Sequence, residues 1–183
     1  FPCQGQRHLV SLQPHVTGSC LEYQKLIYEG AAYMPVTDDV TFAVKGKVGV
    51  ANASGKTTQV PFFDKYYAGG IGSVRGYDQS SLAPRGDAAH RDQILGGDTM
   101  ASATAELQFP VPFAEDVKGL KMSTFVDAGN AYNRSTSTGD EKAMRYSAGI
   151  GAVWLSPIGP FEISYAKRIN SKAGDEEQKV QFS

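Results

Sequence analysis

Residues 62–77 read FFDKYYAGGIGSVRGY, a stretch in which one arginine, Arg75, stands among glycines and aromatic residues. The chain around it alternates apolar and polar residues, as the strands of a membrane barrel do. An arginine removed from water needs carboxylate partners. Two strand-like segments that follow each carry one acidic residue among neutral neighbours, Glu106 and Asp127. The pattern therefore raises the question of how Arg75 is neutralised.

Length, composition and charge restrict the class of protein. The 183 residues suffice for one domain, residues 1–183, and the 20 glycines and 10% aromatic residues favour β structure. A formal net charge of -1 without a basic cluster argues against nucleic-acid binding. No apolar run approaches the roughly 18 residues of a membrane-spanning helix, whereas a spanning β-strand needs only about 9 to 11. A membrane location is therefore compatible with the sequence only through strands.

Two cysteines, Cys3 and Cys20, bracket the first candidate strand. An extended segment of that length would hold their Cα atoms roughly 30 Å apart, against a disulfide limit of about 7 Å. We expect two unpaired thiols; a bend in the first segment is the alternative that would let them pair.

Eight segments alternate with the two-residue period of β-strands. The alternation is clearest in 99–109, where Glu106 lies on the polar face. Asp127 takes the equivalent inward position in the next segment, 121–132. Gly129 and Asn130 predict a bend or bulge. The predicted strands are 7–16, 23–35, 42–51, 99–109, 121–132, 144–155, 161–166 and 178–182.

The connections between these segments alternate in length. Short ones (35–40, 110–119, 156–160) alternate with longer ones (52–98, 133–143, 168–177), which places all short turns at one end of an antiparallel meander. Outer-membrane barrels have this asymmetry, with their apolar face towards lipid. The alternative is a soluble antiparallel sandwich, in which the apolar faces form a core.

The long connection, about residues 52–98, exceeds ordinary hairpin loops. Its aromatic residues are too apolar for a solvated linker, and its glycines permit close approach to a wall. We expect it to fold into the barrel lumen, where Arg75 would bridge Glu106 and Asp127. The alternative is a solvated Arg75 in a mobile loop.

Enzyme motifs find little support. The glycines of 70–76 are spaced GxGxxxG, without the strand-to-helix context of a phosphate-binding loop. An acid and base pair from Glu106 and Asp127, or a nucleophile set from Ser73, His90 and Asp87, lacks any sign of activation. The three histidines have no ligand spacing. We therefore expect no catalytic residues, no metal and no cofactor.

The stretch 69–77, GGIGSVRGY, resembles the sixth-loop VRGF/Y signature of the BamA family, the POTRA-bearing outer-membrane assembly and translocation barrels. The likeness is carried in the loop by Gly69, Gly70, Val74, Gly76 and Tyr77. It continues through ELQFP (106–110), FVDAGN (125–130), RYSAGI (145–150), WLSPIGP (154–160) and SYA (164–166).

The resemblance implies an all-β fold in which the chain is strands nine to sixteen, half of a sixteen-stranded transmembrane β-barrel. It also implies that the loop arginine contacts acidic residues on the next two strands, here Arg75 with Glu106 and Asp127. The POTRA domains and the first eight strands are absent. Residues 178–183 end before the terminal aromatic of an outer-membrane targeting signal, so a truncated last strand is expected.

The function implied by the resemblance is non-enzymatic. Such a protein folds and inserts β-barrel proteins into the outer membrane of a Gram-negative cell. The implied partners are outer-membrane lipids, unfolded β-barrel clients, and accessory assembly lipoproteins bound through regions absent here. The alternative is a related barrel that secretes a passenger protein or assembles autotransporters.

Overall fold

The computed structural model describes residues 4–14, 22–54, 57, 59–86, 93–111, 119–135, 137, 142–156, 159–171 and 175–183. Its main feature is one antiparallel sheet of eight strands in the order β1-β2-β3-β5-β6-β7-β8-β10, and a small second sheet pairs β4 with β9. The predicted antiparallel meander is confirmed. The strands are β1 (Gly5–Pro14), β2 (Tyr23–Pro35), β3 (Thr41–Ala53), β4 (Gly76–Tyr77), β5 (Thr99–Pro110), β6 (Leu120–Tyr132), β7 (Arg145–Ser156), β8 (Gly159–Arg168), β9 (Glu177–Gln178) and β10 (Val180–Phe182).

The two faces of the large sheet differ in polarity, because successive side chains of a strand point to opposite sides. The polar face is covered by the connection between β3 and β5. No second sheet covers the apolar face in the described part of the chain, so the sandwich alternative is wrong and the half-barrel is supported. The large exposed residues of this outer face include Leu26, Tyr28, Val44, Val48, Val126, Ile150, Trp154, Ile163 and Tyr165.

The ends of the sheet have the predicted asymmetry. The connections β2 to β3, β5 to β6 and β7 to β8 are short and lie at one end, whereas the connections after β1, β3, β6 and β8 lie at the other. Among the described strands β1 and β10 do not pair with each other, so the sheet remains open. No helix in the described ranges is long and apolar enough to cross a membrane.

Several details differ from the sequence prediction. The predicted strands 42–51 and 161–166 are Thr41–Ala53 and Gly159–Arg168 in the structure. The first strand begins at Gly5 rather than Arg7. The bulge predicted at Gly129 and Asn130 is wrong, since both residues pair with β5 in unbroken register. The last predicted strand is two short ones with different partners, because β9 pairs with β4 in the loop and β10 pairs with β8 in the wall. Cys3 and Cys20 lie outside the described residues.

The described part of the long connection between β3 and β5 (54, 57, 59–86 and 93–98) folds back against the polar face, as predicted. It contains one turn of 3-10 helix, Phe62–Asp64. Isolated bridges join its outgoing and returning arms. Phe62 and Phe63 of the loop are exposed. Six of its apolar residues form one buried cluster with the wall, made of Val60, Tyr66, Ala68, Val74, Tyr77 and Leu82 from the loop and Tyr23, Ala51, Met100 and Ala131 from the strands. This packing fixes the loop inside the curve of the sheet.

Candidate functional site: the loop arginine and its wall

The arginine is presented by a tight turn of the loop. Gly70 N donates to Val74 O at 3.0 Å, and Ser73 N donates to Gly70 O at 3.2 Å. Gly69 has φ +104°, and a Cβ there would lie 2.5 Å from the backbone oxygen of Asp78. Only glycine accepts both constraints without strain. The glycine-rich motif therefore sets the direction in which Arg75 leaves the loop.

Arg75 lies against Asp127 of β6 in a buried, bidentate ion pair. Its Nε is 2.8 Å from Asp127 Oδ2, and its Nη2 is 3.0 Å from Oδ1. The backbone N of Arg75 also donates to Oδ2 at 3.0 Å. The side chains are 6% and 0% exposed. Both carboxylate oxygens are thus occupied by a geometry that only a guanidinium provides.

An aromatic ring completes the arginine site. The Arg75 guanidinium carbon lies 3.3 Å from the centre of the Phe125 ring, also on β6. Such a contact attracts a cation to the face of the ring. Gly149 of β7 leaves room for this ring, because a Cβ at Gly149 would lie 2.7 Å from Phe125 Cζ. The ring therefore forms a flat support for the guanidinium.

The second predicted partner, Glu106, has a different contact. Glu106 Oε2 lies 3.3 Å from Lys45 Nζ of β3, and no ion pair joins Glu106 to Arg75 among the described residues. The second acid within reach of Arg75 is Glu162 of β8, whose Oε1 is 3.5 Å from Nη1. The expectation that Arg75 bridges Glu106 and Asp127 is therefore corrected to Asp127 and Glu162. Glu106 acts on Arg75 through its charge without touching it.

The charge of Arg75 is maintained despite its burial. Burial lowers the pKa of the guanidinium, but the hydrogen bonds and charge of Asp127, followed by the charges of Glu106 and Glu162, outweigh it and raise the pKa above its ordinary value. The loop residue is therefore a permanent cation. Beside it opens a cavity of about 410 Å³, lined by Arg75, Lys45, Glu106 and Glu162 among others.

Residues on either side of the arginine also contact the wall. Val74 is fully buried, and it occupies space left by Gly129, where a Cβ would lie 2.7 Å from Val74 Cγ2. Tyr77 is likewise buried, and its hydroxyl donates to the backbone oxygens of Tyr146 and Asn170. Burial raises the pKa of Tyr77 to about 12, and the charge of Asp175 acts in the same direction. The hydroxyl is therefore held as a donor.

The terminal segment closes over the loop. Tyr77 O accepts a hydrogen bond of 2.6 Å from Gln181 Nε2 of β10, and Asp78 N donates to Glu176 O at 3.0 Å. Sequence reasoning missed Glu162, Gln181 and the pairing of β4 with β9. Glu162 could have been found from the alternation of its strand, which places its side chain on the inner face. The strands β4 and β9 are only two residues long and are too short to show an alternation.

In the alternative enzyme sets, Asp127 and Ser73 already have other partners. Asp127 is occupied by three donors of Arg75, and Ser73 Oγ accepts from Gly69 N at 3.3 Å. His90 and Asp87 lie outside the described residues. Within the ranges that are described, no group of three or more His, Cys, Asp or Glu residues could hold a metal ion.

Comparison with known proteins identifies relatives along the whole chain. The Omp85 superfamily domain matches residues 1–183. The outer membrane protein assembly factor BamA of Neisseria meningitidis serogroup B is 34% identical over 206 residues, which covers 100% of this chain and 26% of that protein. BamA of Nitratidesulfovibrio vulgaris is 29% identical over 161 residues, which covers 88% of this chain and 20% of that protein.

A solved structure agrees with these relatives. The crystal structure of BamA from Haemophilus ducreyi lacking POTRA domains 1–3 matches with a TM-score of 0.91 at 34% identity, covering 100% of this chain and 38% of that one. The chain thus spans well under half the length of the relatives it matches.

Proposed function

Because this chain belongs to the Omp85 superfamily, we propose that it is the C-terminal half of the sixteen-stranded barrel of an outer-membrane protein assembly factor. Residues 1–183 are then one part of a single barrel domain. The location is the outer membrane of a Gram-negative cell. The observation that carries the proposal is the similarity of the entire chain to an assembly factor.

The proposed activity is the folding and insertion of β-barrel proteins without bond chemistry. An unpaired strand edge offers backbone donors and acceptors to an incoming strand, which can add to the sheet. The exposed apolar face would contact outer-membrane lipids, and unfolded β-barrel proteins would be the clients. Accessory assembly lipoproteins would bind regions outside this chain.

The proposed role of the arginine site is to latch the loop inside the barrel. The latch consists of Arg75 and Asp127, with Glu162 in contact and Glu106 acting through its charge. The loop motif residues Gly69, Gly70, Val74, Gly76 and Tyr77 shape and pack the turn that presents the arginine. A latched loop keeps the strands of this wall in a fixed arrangement while a client is added.

Reconstitution of the full-length protein in lipid vesicles tests the function. An unfolded outer-membrane barrel protein is added, and its insertion is followed by protection from protease. We expect wild-type protein to accelerate insertion and Arg75→Ala to lose most of the acceleration. Lys47→Ala is the matched control, because Lys47 pairs with Glu29 on the wall and both side chains are more than a third exposed. Insertion no faster than in protein-free vesicles would contradict the function, and full activity of Arg75→Ala would contradict the latch.

A further inference from the structure

The N-terminal arm of the loop meets the wall at a second place, remote from the arginine. Asp64, at the end of the 3-10 turn, accepts hydrogen bonds from the Tyr23 hydroxyl and from Lys25 Nζ, the latter at 3.1 Å. Both donors project from β2 on the polar face. Tyr23 is 1% exposed and the Lys25 side chain 12% exposed. An acid of the loop is thus bound by two groups of the wall, the reverse of the arrangement at Arg75.

An aromatic side chain fits a gap in the wall beside this contact. The Tyr66 ring packs on β3 at Gly49, where a Cβ would lie 2.8 Å from Tyr66 Cζ and 2.9 Å from Cε1. Lys25 Nζ lies 5.0 Å from the centre of the same ring. Tyr66 also exchanges two backbone hydrogen bonds of 2.8 Å with Gly97. Any side chain larger than glycine at position 49 must therefore displace the ring.

From this geometry we propose that Asp64 and Tyr66 form a second anchor of the loop, held by Tyr23, Lys25 and Gly49. It secures the outgoing arm independently of the arginine.

The two anchors lie on different strands of the wall. The second anchor is on β2 and β3, and Arg75 is bound to β6 and β8. In the order β2-β3-β5-β6, three strand spacings, about 14 Å across the sheet, separate β2 from β6, and Tyr23 and Asp127 are also offset along their strands. Sites at that distance without shared partners respond to substitution almost independently. The loop is thus a strap fixed at two points of the wall.

Trypsin reports the two anchors separately, because it cleaves after lysine and arginine and the loop segment of each anchor contains one such bond. The rate of cleavage after Lys65 reports opening of the second anchor, and the rate of cleavage after Arg75 reports opening of the arginine site. Proteolysis of a folded protein follows local opening of the segment. The full-length protein in detergent micelles is digested briefly, and the cleavage sites are identified by mass spectrometry.

The variants alter only the wall, so that the cleaved segments stay unchanged. For Tyr23→Phe combined with Lys25→Met, we expect cleavage after Lys65 to rise about tenfold and cleavage after Arg75 to stay at the wild-type rate. Asp127→Asn should give the opposite pattern. Lys47→Met is the control, since its ammonium pairs with Glu29 of β2 and forms no ion pair with the described part of the loop.

A second pair of variants tests the fit of Tyr66. Gly49→Ala should raise cleavage after Lys65, whereas Gly46→Ala on the same strand should not, because a Cβ there meets only Ser102 O at 3.8 Å. If cleavage after Lys65 is unchanged both in the Tyr23→Phe, Lys25→Met variant and in Gly49→Ala, the proposal is overturned. If either of these variants raises the cleavage rates after Lys65 and after Arg75 equally, the anchors are not independent. Circular dichroism confirms that each variant is folded, and the readout needs no assembly activity.

Discussion

Asp127 is completely buried, and both of its carboxylate oxygens bind donors of Arg75, three donors in all. Removing one member of such a pair leaves the other charged and buried, which costs far more than the net contribution of the pair. By the same reasoning, removing Glu162 should cost less stability, because its side chain is 30% exposed and its contact with Arg75 is 3.5 Å long. Residue by residue, the arginine site is therefore centred on one carboxylate.

We expect Asp127→Asn to destabilise the full-length protein by about 3 to 5 kcal/mol, because Arg75 would remain buried without its bidentate counter-charge, with only the longer contact to Glu162 left. Glu106→Gln should cost clearly less, since Glu106 contacts Lys45 rather than Arg75. Urea unfolding in detergent micelles, followed by tryptophan fluorescence, measures both losses. Equal losses for the two variants would contradict the assignment of Asp127 as the direct partner.

The sequence predicted the arginine and Asp127 correctly as neighbours, because strand parity alone places Asp127 inward. It could not choose among the inward acids. Glu106 and Glu162 have the same parity, and their distance from Arg75 depends on how far the loop reaches across the sheet. Asp64 was missed for a related reason. It lies in an irregular loop, where no alternation predicts the direction of a side chain.

Glycines of the wall strands determine where the loop can pack. Gly49 and Gly129 each leave room for a loop side chain, Tyr66 and Val74 respectively. The sequence analysis took Gly129 as a bulge, the commonest local reason for a strand glycine. Its actual role is close approach of another chain segment, which depends on tertiary structure. The positions of the first seven wall strands, though not all of their end residues, followed in contrast from alternation, since each strand has one apolar face.

At the level of the strand β6, we expect Gly129→Ala to destabilise the protein by about 1 to 3 kcal/mol, as overpacking does. The added Cβ would lie 2.7 Å from Val74 Cγ2 and 2.9 Å from Ala101 O. The same urea titration provides the measurement, with Gly46→Ala as the control at an outward glycine. A loss for Gly129→Ala no greater than for the control would show that the loop does not press on β6 at this point.

For the molecule as a whole, the distribution of polar and apolar side chains over the two faces of the sheet is the reverse of that in a soluble protein. Charged residues and the loop fill the concave side, and the exposed side carries the apolar band. This inversion follows from strand alternation together with the position of the long loop, so the fold class was predictable. The separate partners of β9 and β10 were not, because such short strands depend on the loop already being in place.

A charge introduced into the apolar band tests its contact with lipid. Ile150, 50% exposed, lies near the middle of β7. We expect Ile150→Arg to cost about 2 to 4 kcal/mol in lipid vesicles, and Tyr146→Arg, near the strand end, about 0 to 1 kcal/mol. Urea unfolding in vesicles measures both. Equal small losses would argue that this face does not lie in the hydrocarbon.

The central claim is that the loop is held to the barrel wall by the Arg75 and Asp127 pair. A double-mutant cycle with Arg75→Met, Asp127→Asn and the combined variant measures their coupling directly in the full-length protein. Because each single change leaves a buried charge without its direct partner and the double change leaves neither charge, we expect a coupling free energy of at least about 2 kcal/mol. Additive losses, with a coupling near zero, would contradict the claim.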